Sequence, residues 1–310
     1  MKTINYVSIL GRSMMNVDNA AADKFVKKHI DALKDTATTQ SYYSLLSLYS
    51  EILVKGKKND QALTYAEQAY TKLNRKDPEL EKNYAVLLAQ KGRYADAVPV
   101  LEKLVETGRA NDVVRTQLRT SYKKTKVSDG DAKIAALDAK FLDNMKEEVA
   151  KKLISKTAPA FEVKDITGKT VSLADFKGKT IVIDFWATWC GPCKKSFPAM
   201  QLAVNKYKND PNVKFLFVHT WERGTETPQK DAADYPAQNK YSFDLYMDTK
   251  DEKSQKNPAV SAFEVTGIPT KFIIDGKGNI RFNVVGFSGA GGDESAATEL
   301  ATMIEMVKGA

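Results

Sequence analysis

From its start to about Lys156 the chain spaces apolar residues three and four positions apart, a helical period with no convincing strand. At Ala158-Pro159-Ala160 the pattern changes. FEVKDITGKTVSL alternates apolar and polar residues around an Asp165-Ile166-Thr167-Gly168 turn, which predicts a hairpin. TIVIDFWA, starting at Thr180, is an unbroken β-branched and aromatic run, the mark of a strand buried on both faces. A helix is predicted from Gly191 to Tyr207, with Pro192 tolerated in its first turn. VKFLFVHT is a second buried strand, KFIIDGKGNIRFNVVG two strands around a Gly-rich turn, and ESAATELATMIEMVK a closing helix. Two domains are expected: an all-α one over 1–152 and an α/β one over 157–310, divided in the charged stretch Lys151–Thr157.

The helical half repeats itself. Tyr49, Leu53, Ala62, Ala66 and Ala69 recur as Tyr84, Leu88, Ala97, Leu101 and Leu104, and a weaker third copy reads Ala132, Ala136 and Ala139. Small residues at these places let two helices of a hairpin approach, while Tyr and Leu fill the groove between them. NYAVLLAQKGRYADAVPVLEKL resembles a tetratricopeptide repeat, with Gly92, Tyr94 and Ala97 at the family's spacing. The earlier copy is degenerate, with Lys57 in place of Gly92 and Asn59 in place of Tyr94. Such hairpins serve either as a spacer or dimerisation prop, or as a groove for a protein partner; the residues leave both open.

Composition changes this picture little. The chain is 43% hydrophobic and 28% charged, as in ordinary globular proteins. Its net charge of +8 comes from lysines spread along helices, so no nucleic-acid partner is expected. No run of about eighteen apolar residues exists. In the opening MKTINYVSILGRSMMN the patch VSIL is too short for an export signal, so the chain as written is expected to carry none.

Candidate chemistry rests on the two cysteines, Cys190 and Cys193. Three positions apart, they could be a redox pair, half a zinc site, or a packing coincidence. Zinc needs about four clustered ligands, and the only histidines are His29, in the helical half, and His219, at a strand end. His219 has no partner at its spacing and is expected to be a packed strand-end residue. Placement favours the redox pair. Trp-Cys-Gly-Pro-Cys follows a buried strand and opens a helix, where free N–H groups and the helix dipole stabilise a thiolate. Cys190 is therefore the expected nucleophile, and Cys193, one turn onward, the resolving thiol.

IDFWATWCGPC resembles thioredoxin. The wider block, from Ala158-Pro159 through CKKSFP to GIPTKFIIDGKGNI, is similar to the TlpA-like thiol–disulfide oxidoreductases, over roughly 157–310. The resemblance implies a thioredoxin fold, a central mixed sheet flanked by helices, and a disulfide reductase acting on protein disulfides, fed by an upstream thiol donor. It implies no metal and no cofactor beyond a redox-active disulfide between Cys190 and Cys193. Ile268-Pro269 matches the family's cis-proline, with the Ile268 backbone pairing an incoming peptide as an added strand. Gly286 matches its groove glycine. Trp189, Gly191 and Pro192 would border the substrate. Asp184, a carboxylate inside a buried strand, matches the acid that helps deprotonate the inner cysteine. Many TlpA-like proteins carry a glutamate in a KKEFP motif; here that position is Ser196, which sets this chain apart from cytochrome c maturation proteins of that branch. Trp186 is expected in the core. The long segment from Trp221 to Asp248 resembles a TlpA-type insertion, with Trp221 and Glu222 expected as surface residues.

The Gly-Pro spacer is the thioredoxin one, associated with about −270 mV against about −120 mV for the oxidant DsbA, hence the expectation of a reductase. The same block also resembles peroxiredoxins, but their PxxxTxxC spacing fails at Ile183 and Ala187. An interaction scaffold with an idle redox pair is the remaining alternative. The family likeness implies the periplasm or cell envelope of a bacterium; the letters alone would equally suit the cytoplasm.

Overall fold

The computed structural model describes residues 2–33, 39–74, 77–289 and 291–309. It divides into two compact units, Met1–Phe141 and Leu142–Ala310. The first is helical: α1 (Lys2–Val17), α2 (Asn19–Leu33), α3 (Gln40–Lys55), α4 (Asn59–Lys72), α5 (Pro78–Gln90), α6 (Tyr94–Glu106), α7 (Asp112–Lys124) and α8 (Gly130–Ala150). Local chemistry sets several starts. Thr39, Asp77 and Asn111 each accept a backbone N–H from the first turn that follows, and Pro78 opens α5 where its missing N–H costs nothing.

The repeated positions behave as their small-and-large pattern implies. Ala62, Ala66, Ala69 and Ala97 are wholly buried, as are Leu88 and Leu101, while Tyr49 and Tyr84 sit nearly buried beside them. The two hairpin corners also match: Gly92 and Lys57 both adopt left-handed backbone, at φ 76° and 59°. The third copy is corrected. Ala132, Ala136 and Ala139 are exposed, and α8 instead buries Ile134. This is the last helix of its unit, so no further hairpin partner covers the alanine face.

The division between the units falls inside α8, whose Val149 is buried with the second core. That unit continues with β1 (Lys156–Thr157), β2 (Glu162–Asp165), β3 (Thr170–Ser172), β4 (Thr180–Trp186), α9 (Gly191–Tyr207), β5 (Val213–His219), α10 (Pro228–Gln238), β6 (Leu245–Met247), α11 (Pro258–Ala262), β7 (Thr270–Ile274), β8 (Asn279–Val285) and α12 (Gly292–Val307). The strands form one sheet in the order β1-β8-β7-β4-β5-β6-β2-β3. β4 pairs β5 in parallel and β7 antiparallel, so the sheet is mixed, as a thioredoxin fold requires.

Alternation along the central strands sorts residues between two cores. Ile181, Ile183 and Phe185 pack on one face with Phe272 and Ile274. Val182 and Trp186 pack on the other with Ile273 and residues of α9 and α12. Asp184 and Lys271 share the parity of that second set and face each other across the β4–β7 ladder. Two charges thus lie in the layer beneath α9.

A lysine held left-handed costs about 1–2 kcal/mol relative to glycine, less what glycine's looser unfolded chain takes back. Lys57→Gly is expected to raise the unfolding free energy by about 0.5–1 kcal/mol, and Gly92→Ala to lower it by a similar amount, as read from urea denaturation midpoints.

Candidate active site

β4 ends at Trp186, and Ala187, Thr188 and Trp189 carry the chain to Cys190, the N-cap of α9. The Cys190 sulfur accepts the Cys193 backbone N–H at 3.1 Å, a helix-end donor with no intrahelical acceptor. Cys190 and Cys193 are disulfide-bonded, at an S–S distance of 1.98 Å. Both are buried, at 2% and 0% exposure, while Gly191 and Pro192 are exposed at the turn above them. The Ile268 carbonyl oxygen lies 3.6 Å from the Cys190 sulfur, and Ile268-Pro269 is cis. Gly286, at φ 80°, donates its N–H to the Pro269 carbonyl at 2.7 Å. The expected residues Cys190, Cys193, Ile268, Pro269 and Gly286 are therefore drawn together from α9, the β7 entry and the β8 exit.

Trp189 is 41% exposed, with Arg223 stacked 4.1 Å from its ring centre. Its indole N–H is donated to the Trp221 carbonyl at 2.9 Å. Trp186 is buried against Phe197 and His219, in the core as expected.

Two expectations fail beside it. Glu222 is not a surface residue: its side chain is 7% exposed and Trp221 is half-buried. Nor does His219 lack a partner, since its Nε2 lies 2.7 Å from Glu222 Oε2. The same oxygen accepts the Thr188 backbone N–H at 3.0 Å and its hydroxyl at 2.6 Å. Trp221 adopts φ 51°, a left-handed turn that folds the chain back so that position 222 meets position 219. Glu222 thus ties the strand end of β5 to the loop that presents Cys190. Burial pushes the Glu222 carboxyl up, but the bonds from Thr188, Arg223 and His219 outweigh it and leave it below its ordinary range. Burial also holds the His219 imidazole below its ordinary value, against the pull of Glu222.

Asp184 is 1% exposed, and no hydrogen bond reaches either carboxylate oxygen. Among the described residues it forms an ion pair with Lys271, whose ammonium lies 3.3 Å from Oδ1. Burial drives the Asp184 carboxyl above its ordinary range, and Lys271 opposes that rise. Lys271 also donates to the Ser196 hydroxyl at 3.4 Å, and Ser196 donates to the Cys193 carbonyl at 2.8 Å. Lys271 was missed in sequence. The available signal was a charged residue in an apolar strand, at the parity of a second charge in its neighbour.

Among the described residues no group of three or more His, Cys, Asp or Glu could hold a metal ion. No helix among them is long and apolar enough to cross a membrane.

Residues 154–283 match the AhpC/TSA family. The chain is 33% identical over 136 residues to the thiol-disulfide oxidoreductase ResA of Bacillus cereus (strain ZK / E33L), covering 43% of this chain and 70% of the relative. It is 32% identical over 125 residues to ResA of Bacillus subtilis (strain 168), covering 40% and 62%. Among solved structures, a putative thiol:disulfide interchange protein DsbE from Chlorobium tepidum is 33% identical, with 48% of this chain and 96% of that one covered and a TM-score of 0.38.

Because His219 and Glu222 both titrate below their ordinary values in the fold, the unfolded chain takes up protons first as pH falls. The stability this pair contributes is therefore full above about pH 6.5 and is lost as acid protonates the two groups. The difference in urea midpoint between the oxidised protein and His219→Gln is expected to shrink as pH falls from about 7 to 5. Glu222→Ala, which leaves the half-buried Thr188 donors unmet, is expected to cost about 1–3 kcal/mol.

Proposed function

The chain belongs to the thiol-disulfide oxidoreductase family of ResA, and from that premise we propose that it works as a reductase of protein disulfides. One observation carries the reading: Cys190 caps α9 with its sulfur on the Cys193 N–H and beside the Ile268 carbonyl. A helix end favours the anionic form of sulfur, which is the attacking form.

In the reduced protein the Cys190 thiolate attacks one sulfur of a client disulfide. A Cys190–client bond forms, the client S–S bond breaks, and the second client sulfur leaves as a thiolate. Cys193 then gives its proton to the Asp184 carboxylate and attacks the Cys190 sulfur. The intramolecular disulfide closes, and the client's remaining sulfur leaves and takes up a proton. Two electrons have passed to the client, and an upstream thiol donor restores the dithiol. The Ile268 backbone receives the client as an added strand, with Trp189, Gly191, Pro192, Pro269 and Gly286 bordering it. The Gly-Pro spacer supports the reducing direction.

We take helical repeats over 1–152 and a redox domain over 157–310 as the domain assignment, and read the repeats as a groove for a protein partner, with a spacer or dimerisation prop as the other reading. The family likeness supports work in the periplasm or cell envelope of a bacterium. Peroxide reduction by the same cysteine lacks its activating threonine, since position 187 is a buried alanine.

Cys193→Ser is expected to accumulate mixed disulfides with clients, resolved by non-reducing electrophoresis and mass spectrometry, and Cys190→Ser to trap none. The reduction potential is expected below about −200 mV; a value above about −180 mV would overturn the reducing direction. Hydrogen peroxide should be consumed no faster than by free thiol in buffer.

A further inference from the structure

Three consecutive residues grip the two that precede the nucleophile. The Trp221 carbonyl accepts the Trp189 indole N–H at 2.9 Å, and Arg223 stacks on the same ring at 4.1 Å. Between them Glu222 Oε2 accepts the Thr188 backbone N–H at 3.0 Å and the Thr188 hydroxyl at 2.6 Å. Inside the loop the Cys190 N–H turns back to the Ala187 carbonyl at 3.1 Å, and at its root the Thr220 N–H holds the Trp186 carbonyl at 2.9 Å.

Glu222 is the buried member of this clasp. Its side chain is 7% exposed, whereas Arg223 is exposed and Trp221 half-buried. A carboxylate so placed needs donors around it, and Thr188, His219 and the Arg223 backbone N–H converge on it. Trp221 delivers it there at φ 51°, a conformation that bulky residues rarely adopt. Downstream, the Cys190 sulfur meets the Cys193 N–H because Cys190 sits at the N-cap, with φ −77° and ψ 99°. Thr188 lies two residues before it and sets where the chain enters the helix.

We propose that Glu222 is a positioning residue for the nucleophilic step, holding the Cys190 sulfur on the helix-end N–H of α9 by way of Thr188. The proposal rests on the reading of Cys190 as the attacking thiolate. Glu222 exchanges no proton and touches no client; its contribution is reach. Without it the loop drifts, and a sulfur drawn off a helix-end donor is a weaker acid. The carboxylate's charge acts the other way, because a nearby anion disfavours a thiolate. Reach and charge therefore predict opposite shifts. Other charged or titratable groups on the surrounding elements are His219, Asp184, Lys271, Asp231, Arg223, Lys194 and Lys195, and the variants below leave all of them in place.

The test uses the full chain carrying Cys193→Ser, so that Cys190 is the one thiol. Its alkylation by iodoacetamide is read by mass spectrometry from about pH 5 to 9. Glu222→Asp keeps the charge but is one methylene short of Thr188, and is expected to raise the alkylation midpoint by about 1 pH unit. Below both midpoints that is about a tenfold smaller thiolate fraction, so thiol release from an eosin-labelled glutathione disulfide should slow about tenfold in stopped flow. Glu222→Gln, which keeps the reach without the charge, should titrate at or below the native midpoint. A brace that only stabilised the fold would leave the midpoint of every folded variant unmoved. A Glu222→Asp midpoint at or below the native one overturns the proposal, and so does a Glu222→Gln midpoint raised as far as that of Glu222→Asp. If Glu222→Asp does not fold, Thr188→Val decides, since it removes the hydroxyl bond and leaves the carboxylate: a raised midpoint supports the proposal and an unmoved one overturns it. If the chain with native Glu222 releases no thiol from the disulfide, the reading of Cys190 fails and takes this proposal with it.

Discussion

The second unit depends on the unsatisfied peptide N–H groups at the head of α9. A helix leaves its first donors without internal acceptors, and here one of them is met by the sulfur of Cys190. A buried strand delivers that sulfur to the helix start, and the cis-proline loop brings a backbone carbonyl against it. The bond that stabilises the helix start is also one that favours the anionic form of that sulfur. Structure and reactivity share one interaction.

Around it the fold keeps two kinds of buried carboxylate. Glu222 is fully supplied with donors from Thr188, His219 and its own chain, and so is stable as an anion. Asp184 is under-supplied, with one ammonium and no hydrogen bond. A satisfied group braces; an unsatisfied one is free to change its protonation. The number of donors separates a carboxylate held as a strut from one whose protonation can change.

Much of this was legible in the chain. α9 runs from Gly191 to Tyr207 as its pattern indicates, and β4 and β5 lie where the unbroken apolar runs put them. These features are local, set by periodicity, turn residues and a motif whose parts are adjacent. The repeat alanines of α3 to α6 were legible because each hairpin repeats the same contact, whereas the third copy misled because identity of letters does not supply a covering helix. Glu222 escaped because its burial depends on the left-handed turn at Trp221, a conformation that tryptophan does not advertise. Lys271 escaped because its meaning lies in register: only once β7 is paired with β4 does it stand opposite Asp184.

One detail at the rim bears on breadth of recognition. The indole of Trp189 has its only donor committed to the Trp221 carbonyl, and one of its faces to the Arg223 guanidinium. Under the proposed function, a polypeptide docking at Trp189 meets a flat ledge with no directional bond on offer, and flatness discriminates poorly between sequences. Choice among arriving chains must then come from elsewhere: from how accessible their own sulfur bridge is.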